Sequence, residues 1–585
     1  MESLDATRPL RFGAFELDVR LRELRRGTTR IRLQEQPFEI LRLMLERPGD
    51  IVTREQLRQR LWPEGTYVDF EHSLNAAVKR LRAALGDDAD HPRFVETLPR
   101  RGYRFIAPLG SAAEPPPARR SAAQPHVRLA VLPFSNLSED PAQEYFSDGL
   151  TEEMISQLGE LCRGRVGVLA RWSSMVFKGT SRRAREIGEA LRAEYLLEGS
   201  VRREGDRVRV TARLVESEGE TQLWSDTYER NLTDCLSVQS DVAAHIARAL
   251  AFELGPAAQP ERRVACDAAA YQAYLKGRYY WNKPFDDGLN EAIAYYERAI
   301  AAAPSFGAAH AALARARIAR AEYYHDLPRL ALKQAQASAG RALALDGSLY
   351  EACLAEADAR RMHDLDWAGA EAAYRQAIAL NPSYESAHRG YGMMLSLLGR
   401  HPEAIRESER ACELDPLCLV VGTTAAWVRY AAGDYDAAID HCRNTIDMDP
   451  EFMGARRLLG AAYLQSGRDE EAIAELHSAA TLVEDDPVLL ACLAHAKAVT
   501  GSRPDAVSLI ARIRRLEAER YVSPYHLALA YVGLDSVDAA FDALDQAWLD
   551  RDPALALMTV EPRFAPIRSA ARYDELVGRL NLRRD

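Results

Sequence analysis

Alanine recurs at a fixed interval through the C-terminal half of the chain. Ala370, Ala404, Ala438, Ala472, Ala506 and Ala540 are each 34 residues apart, and Pro382, Pro416 and Pro450 keep the same step. A period of that length holds one helix, a turn and a second helix. The small alanine falls where the two helices approach most closely, and the proline ends the pair. A single pair cannot bury its apolar face alone, so this pattern commits the region to an all-α stack of pairs. Tyr391-Gly392, Leu459-Gly460, Tyr463 and the triplet Glu-Ala-Ile at 291–293, 403–405 and 471–473 sit around the same frame.

With these residues in register the region resembles tetratricopeptide repeats, seven or eight pairs over 267–565. "AYLKGRYYW" to Pro304 forms a first repeat, longer connections before 370 put the early pairs out of phase, and the off-pattern end of the chain, 566–585, is expected to cap the stack. Repeats of this kind imply a groove that receives a protein or peptide partner. A scaffold or dimer surface is the competing use.

At 585 residues the chain needs several cores. No apolar run is long enough to be read as a membrane span, and no basic-then-apolar leader opens it, so a cytoplasmic protein is expected. The eight cysteines have no ligand spacing and are read as reduced core thiols. No metal and no cofactor is called for. Phosphate-loop, zinc-protease, nucleophile-elbow and dinucleotide motifs are all absent from the sequence, and the expectation is not an enzyme.

The Pro- and Ala-rich stretch 108–126 reads as a linker. After it, 127–255 has the pattern of an α/β domain. "VRLAVLPF" is a buried strand. "DGLTEEMISQLG" is a helix capped by Asp148 or Thr151, with Glu152 and Glu153 in its first turn. A short strand follows near Val166–Ala170, then a helix around Ile187–Leu191 and two alternating strands meeting at Gly205. "SVQSDVAAHIARALAFELG" closes the unit as a helix. Through "LAVLPF", "YFSDGLTEEMISQL", "YLLEGSVRREGDRVRVTARLV" and "LWSDTYER" it resembles the TolB amino-terminal or FlgO-like domain.

Charge singles out the N-terminal segment. The chain carries −11 in total, yet residues 1–107 carry +3 and leave −14 on the remainder. A polyanion should therefore prefer this end. Short alternating strands around Arg26-Gly27 predict a small antiparallel sheet. Three helices follow: one burying Phe38, Leu41 and Leu45; one starting at the capping box Thr53/Gln56 and stopping at Pro63; and one over about 69–85 burying Leu74, Val78, Leu81 and Leu85. "RFVETLPRRGYRFIAP" then reads as a hairpin. Trp62 and Tyr103 are expected in the core. Cations gather on the third helix and the hairpin.

Through "FEILRLMLERPGDIVTREQLRQRLWP", "VKRLRAALG" and "FVETLPRRGYRF", residues 10–107 resemble an OmpR/PhoB-type winged helix-turn-helix domain. The resemblance implies sequence-specific binding of double-stranded DNA, with the third helix as recognition helix and the hairpin as wing. It assigns His72, Lys79, Arg80 and Arg82 to the first and Arg101 and Arg104 to the second. Asn75 and Arg54 are added on physical grounds, because an exposed amide can read adenine and Arg54 stands at a helix N-terminus near the backbone path. A surface ion pair is the alternative for Arg104. No receiver domain precedes the winged helix, so a one-component regulator is expected and aspartyl phosphorylation is not.

The fold class is thus multidomain: a winged helix (α+β), a middle α/β domain and an all-α repeat solenoid. The function expected is a DNA-binding transcriptional regulator, with a protein partner on the repeats and with RNA polymerase and a second copy on DNA as further candidate partners. Two rivals are an interaction scaffold whose winged helix no longer binds DNA, and an enzyme with a site in 127–255.

Overall fold

In the computed structural model, residues 10–106, 127–231 and 267–582 are described apart from short breaks, the longest being 62–69. The expected linker, the helix expected over "SVQSDVAAHIARALAFELG" and the Trp62 anchor fall outside the described residues. The chain divides into two compact units, 1–121 and 122–585.

The first unit opens with an antiparallel meander of β1 (Leu10–Phe12), β2 (Phe15–Asp18), β3 (Glu23–Arg26) and β4 (Thr29–Ile31). Helices α1 (Glu35–Glu46), α2 (Arg54–Leu61) and α3 (Phe70–Leu85) follow, and the wing strands β6 (Val95–Leu98) and β7 (Gly102–Phe105) close it. One strand is additional to the expected order: β5 (Ile51–Thr53), between α1 and α2, pairs with β7 in a three-stranded sheet β5-β7-β6. The Thr53/Gln56 capping box forms in both directions, Thr53 N–H to Gln56 Oε1 at 2.8 Å and Gln56 N–H to Thr53 Oγ1 at 3.2 Å. Phe15, Leu17, Phe38, Leu41, Leu45, Leu74, Leu81 and Phe105 share one core.

The second unit joins the middle sheet to the repeat array. Strands β8 (Val127–Val131), β9 (Ser135–Asn136), β10 (Val166–Val168), β11 (Tyr195–Glu204), β12 (Arg207–Glu216) and β13 (Thr221–Asn231) run in the order β10-β8-β11-β12-β13, with β9 also on β11. The β10-β8-β11 part is parallel and the β11-β12-β13 part antiparallel. "LAVL" is apolar throughout because both faces are covered. Leu129 and Val131 face helix α4 (Glu144–Leu161), and Ala130 and Leu132 pack with Ile187 and Leu191 of α6 (Ala184–Leu191). Between α4 and α6 lies the short helix α5 (Arg171–Met175).

Helix α4 starts earlier than its sequence suggests. Glu144 opens it, so Asp148 and Thr151 are not caps and Glu152 and Glu153 are not in the first turn. Its apolar face, Leu150, Met154 and Leu158, covers the sheet. Gly149, Glu152, Ser156 and Gly159, spaced at helical intervals, form a second stripe that meets the repeats. A Cβ at Gly149 would lie 2.9 Å from Leu275 and one at Gly159 2.5 Å from Asn381, so both glycines permit close approach. Between them Glu152 pairs with Arg278 at 2.9 Å, and Ser156 meets the Tyr350 hydroxyl. Acidic residues that look like ordinary helix-dipole partners are therefore interface residues.

The described repeats form eight helix pairs, from Ala268–Trp281 with Phe285–Ala302 to Pro524–Gly533 with Val537–Asp550. The alanines of the period are fully buried. The turn inside each of the last six pairs falls on a position with positive φ: Leu365, Gly399, Gly433, Gly467, Gly501 and Asp535, again 34 apart. The expected terminal cap is different in kind. After Asp550 the chain runs through 3₁₀ segments Leu555–Thr559 and Pro562–Ile567 to a last helix, Ala571–Arg579, and turns back along the first helices. Tyr430 donates to Glu561, Phe564 packs on Tyr525, and the Trp367 indole N–H donates to Leu580 O at 2.8 Å. A cap covers the last pair only, whereas this segment reaches the third, fifth and eighth.

Candidate nucleic-acid interface

Helix α3 is two-sided. Leu74, Ala77, Val78, Leu81 and Leu85 are buried at i, i+3, i+4, i+7 and i+11, which leaves Asn75, Lys79 and Arg80 exposed. His72 lies in its first turn. The wing is anchored by backbone: Arg101 N–H donates to Leu98 O at 3.0 Å, and the Arg54 N–H that opens α2 donates to Arg101 O at 3.3 Å. Arg101 stands exposed at the hairpin tip. Gly102 lets β7 approach β5, because a Cβ there would lie 2.1 Å from the Val52 carbonyl oxygen.

Two predicted contact residues, Arg54 and Asn75, form a knot with Tyr103 among α2, α3 and the wing. The Arg54 guanidinium donates to Asn75 Oδ1 at 3.3 Å and to the Tyr103 hydroxyl at 3.2 Å, and lies over the Tyr103 ring. The Tyr103 hydroxyl in turn donates to Asn75 Oδ1 at 3.0 Å. Tyr103 is a core residue, as expected, but its polar tip holds two of the candidates. With Oδ1 already taking two donors, the Asn75 amide is not arranged to grip adenine with both ends.

Arg82 and Arg104 are also engaged within the unit. Arg82 donates to Val95 O at 2.7 Å and Thr97 Oγ1 at 2.8 Å, fastening α3 to the first wing strand. Arg104 pairs with Glu96 across the hairpin at 2.6 Å, the surface ion pair weighed above. Lys79, Arg80 and Arg101 remain exposed, with no ion pair to a described residue. The eight candidates thus separate into outward cations, residues that hold the wing against the helices (Arg54, Asn75 and Arg82), Arg104 paired within the wing, and His72. Asp87, which no motif singles out, accepts from Phe94 and Val95 N–H and sets the start of the wing. Its place shortly after the end of α3 at Leu85 is the sequence signal it gives.

Comparison with known proteins finds matches in three regions of the chain. Residues 27–105 match the family described as transcriptional regulatory protein, C terminal. Residues 125–245 match the HilA/YgeH-like transcriptional regulator second domain, where a TolB or FlgO likeness was expected. Residues 358–417 and 429–496 match tetratricopeptide repeats. The transcriptional regulator HilA of Salmonella typhimurium is 24% identical over 421 residues, 71% of this chain and 72% of that protein. A putative adenylate cyclase 3 of Rhizobium meliloti is 36% identical over 212 residues, 36% of this chain, and the chain spans only 35% of that relative's length. The DNA-binding domain of Klebsiella pneumoniae RstA, solved in complex with the RstA box, is 28% identical; the match covers 17% of this chain and 96% of that one, with a TM-score of 0.16. Among the described residues no helix is long and apolar enough to cross a membrane.

Proposed function

We propose that a chain built from a regulator-type winged helix, a HilA-like middle domain and tetratricopeptide repeats is a sequence-specific DNA-binding transcriptional regulator acting in the cytoplasm. The observation that carries this reading is the exposure of Lys79, Arg80 and Arg101 on the helix and wing tip of an otherwise acidic protein. In it, Lys79 and Arg80 meet phosphate and base edges in the major groove, His72 enters with the first turn, and Arg101 reaches the flanking backbone. Arg54, Asn75 and Arg82 act mainly by fixing the angle between helix and wing, and Arg104 by bracing the wing itself.

The domain bounds follow the same reading: 10–107 binds DNA, 127–255 links, and the array from 267 receives a protein signal, with RNA polymerase and a second copy of the chain as partners on DNA. Repeats of this class support a protein partner. The side lined by the first helices is largely taken up by α4 and the C-terminal segment, so an incoming partner meets a filled face there rather than an open groove. Catalysis is no part of the reading. The cyclase name belongs to a relative of which the shared region is about a third.

Selection of bound sequences from a random duplex pool by the full chain, at ~150 mM salt where non-specific affinity is weak, tests it. An enriched motif is expected. No enrichment by the full chain or by residues 1–121 favours the scaffold.

A further inference from the structure

Three backbone N–H groups of the middle unit donate to the repeat array. Val168 N–H donates to Ser383 Oγ at 3.1 Å and Ala170 N–H to Leu414 O at 2.8 Å. Ser173 donates twice to Asp415 Oδ1, through N–H at 2.9 Å and its hydroxyl at 2.5 Å, while Leu417 N–H donates to Ser173 Oγ at 2.9 Å. The middle unit thereby grips two successive repeat edges at equivalent places. Asn381 lies against Gly159, and Asp415, one period on, takes Ser173. The carboxylate of the next equivalent, Asp449, accepts Glu451 N–H at 2.9 Å, a contact within its own turn.

Asp415 is 1% exposed, and its second oxygen, Oδ2, is buried without a hydrogen-bond partner. The groups that act most strongly on it are Glu385 and the Cys418 thiol from the array and Ser173 from the middle unit, none of them a cation. Nearby Cys412 is a half-buried thiol, Arg171, beside Ser173, is directed to Asp148 and Glu152, and the Arg128 guanidinium of β8 donates to the Glu413 carbonyl with Arg410 close by. Burial and then the Glu385 charge push the Asp415 carboxyl up to about 7. Ionised, Asp415 would be a buried charge raised further in energy by the Glu385 carboxylate; protonated, it is neutral.

We propose that the contact between the middle unit and the array is a proton-linked joint: Asp415 enters it as the neutral acid, and ionisation of that acid loosens the hold of Val168, Ala170 and Ser173. In the open joint Asp415 regains an ordinary carboxylate's affinity for protons. A group whose affinity is raised on docking contributes fully at low pH, below about 4, and its contribution is lost as pH rises through about 7. The other end of the contact is a charge cluster, Arg278 between Glu152 at 2.9 Å and Glu351 at 2.7 Å, with Glu153 beside it, whose carboxyl burial pushes up to about 7 against the pull of Arg278. Ionisation of Asp415 acts on the β10–α5 end, where Val168, Ala170 and Ser173 dock.

Hydrogen exchange by mass spectrometry on the full chain from pH 5 to 8, corrected for intrinsic exchange, reads this directly. Protection of the amides over 166–174 is expected to fall by about tenfold or more between pH 5 and pH 7.5, while β12 amides stay constant. Asp415→Asn should remove the dependence, and Glu385→Gln should shrink it. A flat profile in the wild type, or the same profile in Asp415→Asn, overturns the proposal. If Asp415→Asn does not fold, an undiminished dependence in Glu385→Gln overturns it as well.

Discussion

The cations of the DNA-binding unit look alike in sequence and do different work. Arg82 sits on the same basic face as Lys79 and Arg80, yet its guanidinium is spent on Val95 O and Thr97 Oγ1. Lys79→Ala, Arg80→Ala and Arg101→Ala should each weaken DNA binding and reduce the slope of log affinity against log salt by about one, without moving the melting temperature. Arg82→Ala should instead cost about 1.5–3 kcal/mol of stability, since it removes hydrogen bonds from a charged donor, and thermal melts of residues 1–121 would show it. Gly102→Ala is expected to be worse than either, because the new Cβ meets backbone at 2.1 Å. Helix period and turn residues made the outward and inward sides of α3 legible. Which outward cation was already bonded was not, because the bonding partners, Thr97 and Glu96, stand on a strand whose register only the fold supplies.

Among elements, the helix pairs were the most legible, since a 34-residue step fixes both helices at once. The turns extend that lesson. Four of six positive-φ turn positions are glycine, while Leu365 and Asp535 hold the same backbone with a side chain. Gly467→Ala is therefore expected to lose about 1 kcal/mol or more in denaturant unfolding, whereas Asp535→Gly should be tolerated at little or no cost. Helix α4 was misjudged because capping signals at Asp148 and Thr151 compete with a real start at Glu144, and because nothing local tells a dipole-complementing Glu152 from one that meets Arg278. That arginine is 6% exposed, and burial works against its charge, but Glu152 and Glu351 more than offset the loss. Arg278→Met should destabilise the second unit by about 3–5 kcal/mol by leaving two carboxylates uncompensated. β5 was missed because three residues are too few to show alternation.

For the whole molecule, the middle sheet and the first repeats share a single core, and the C-terminal segment fills the side of the array lined by the first helices. Contacts that join positions hundreds of residues apart, such as Trp367 with Leu580, leave no mark in a periodicity. Two opposing responses to pH follow. His495 is held at about 4 by burial and by Arg563, so it is neutral in the folded array, and its contribution is lost as pH falls from about 6.5 towards 4. Loss of the His495 contribution in acid should thus oppose the tightening of the Asp415 joint, and calorimetry of His495→Gln beside hydrogen exchange would separate the two. The central claim is that this acidic chain recognises a DNA sequence through Lys79, Arg80 and Arg101. The most direct test is the affinity of the full chain, at ~150 mM salt, for its selected duplex and for a scrambled one, against the triple alanine variant. The account predicts a preference of at least about a thousandfold for the selected duplex, and the loss of most of that affinity in a variant that melts like the wild type. Equal affinity for both duplexes, or a folded variant that binds as tightly as the wild type, would contradict it.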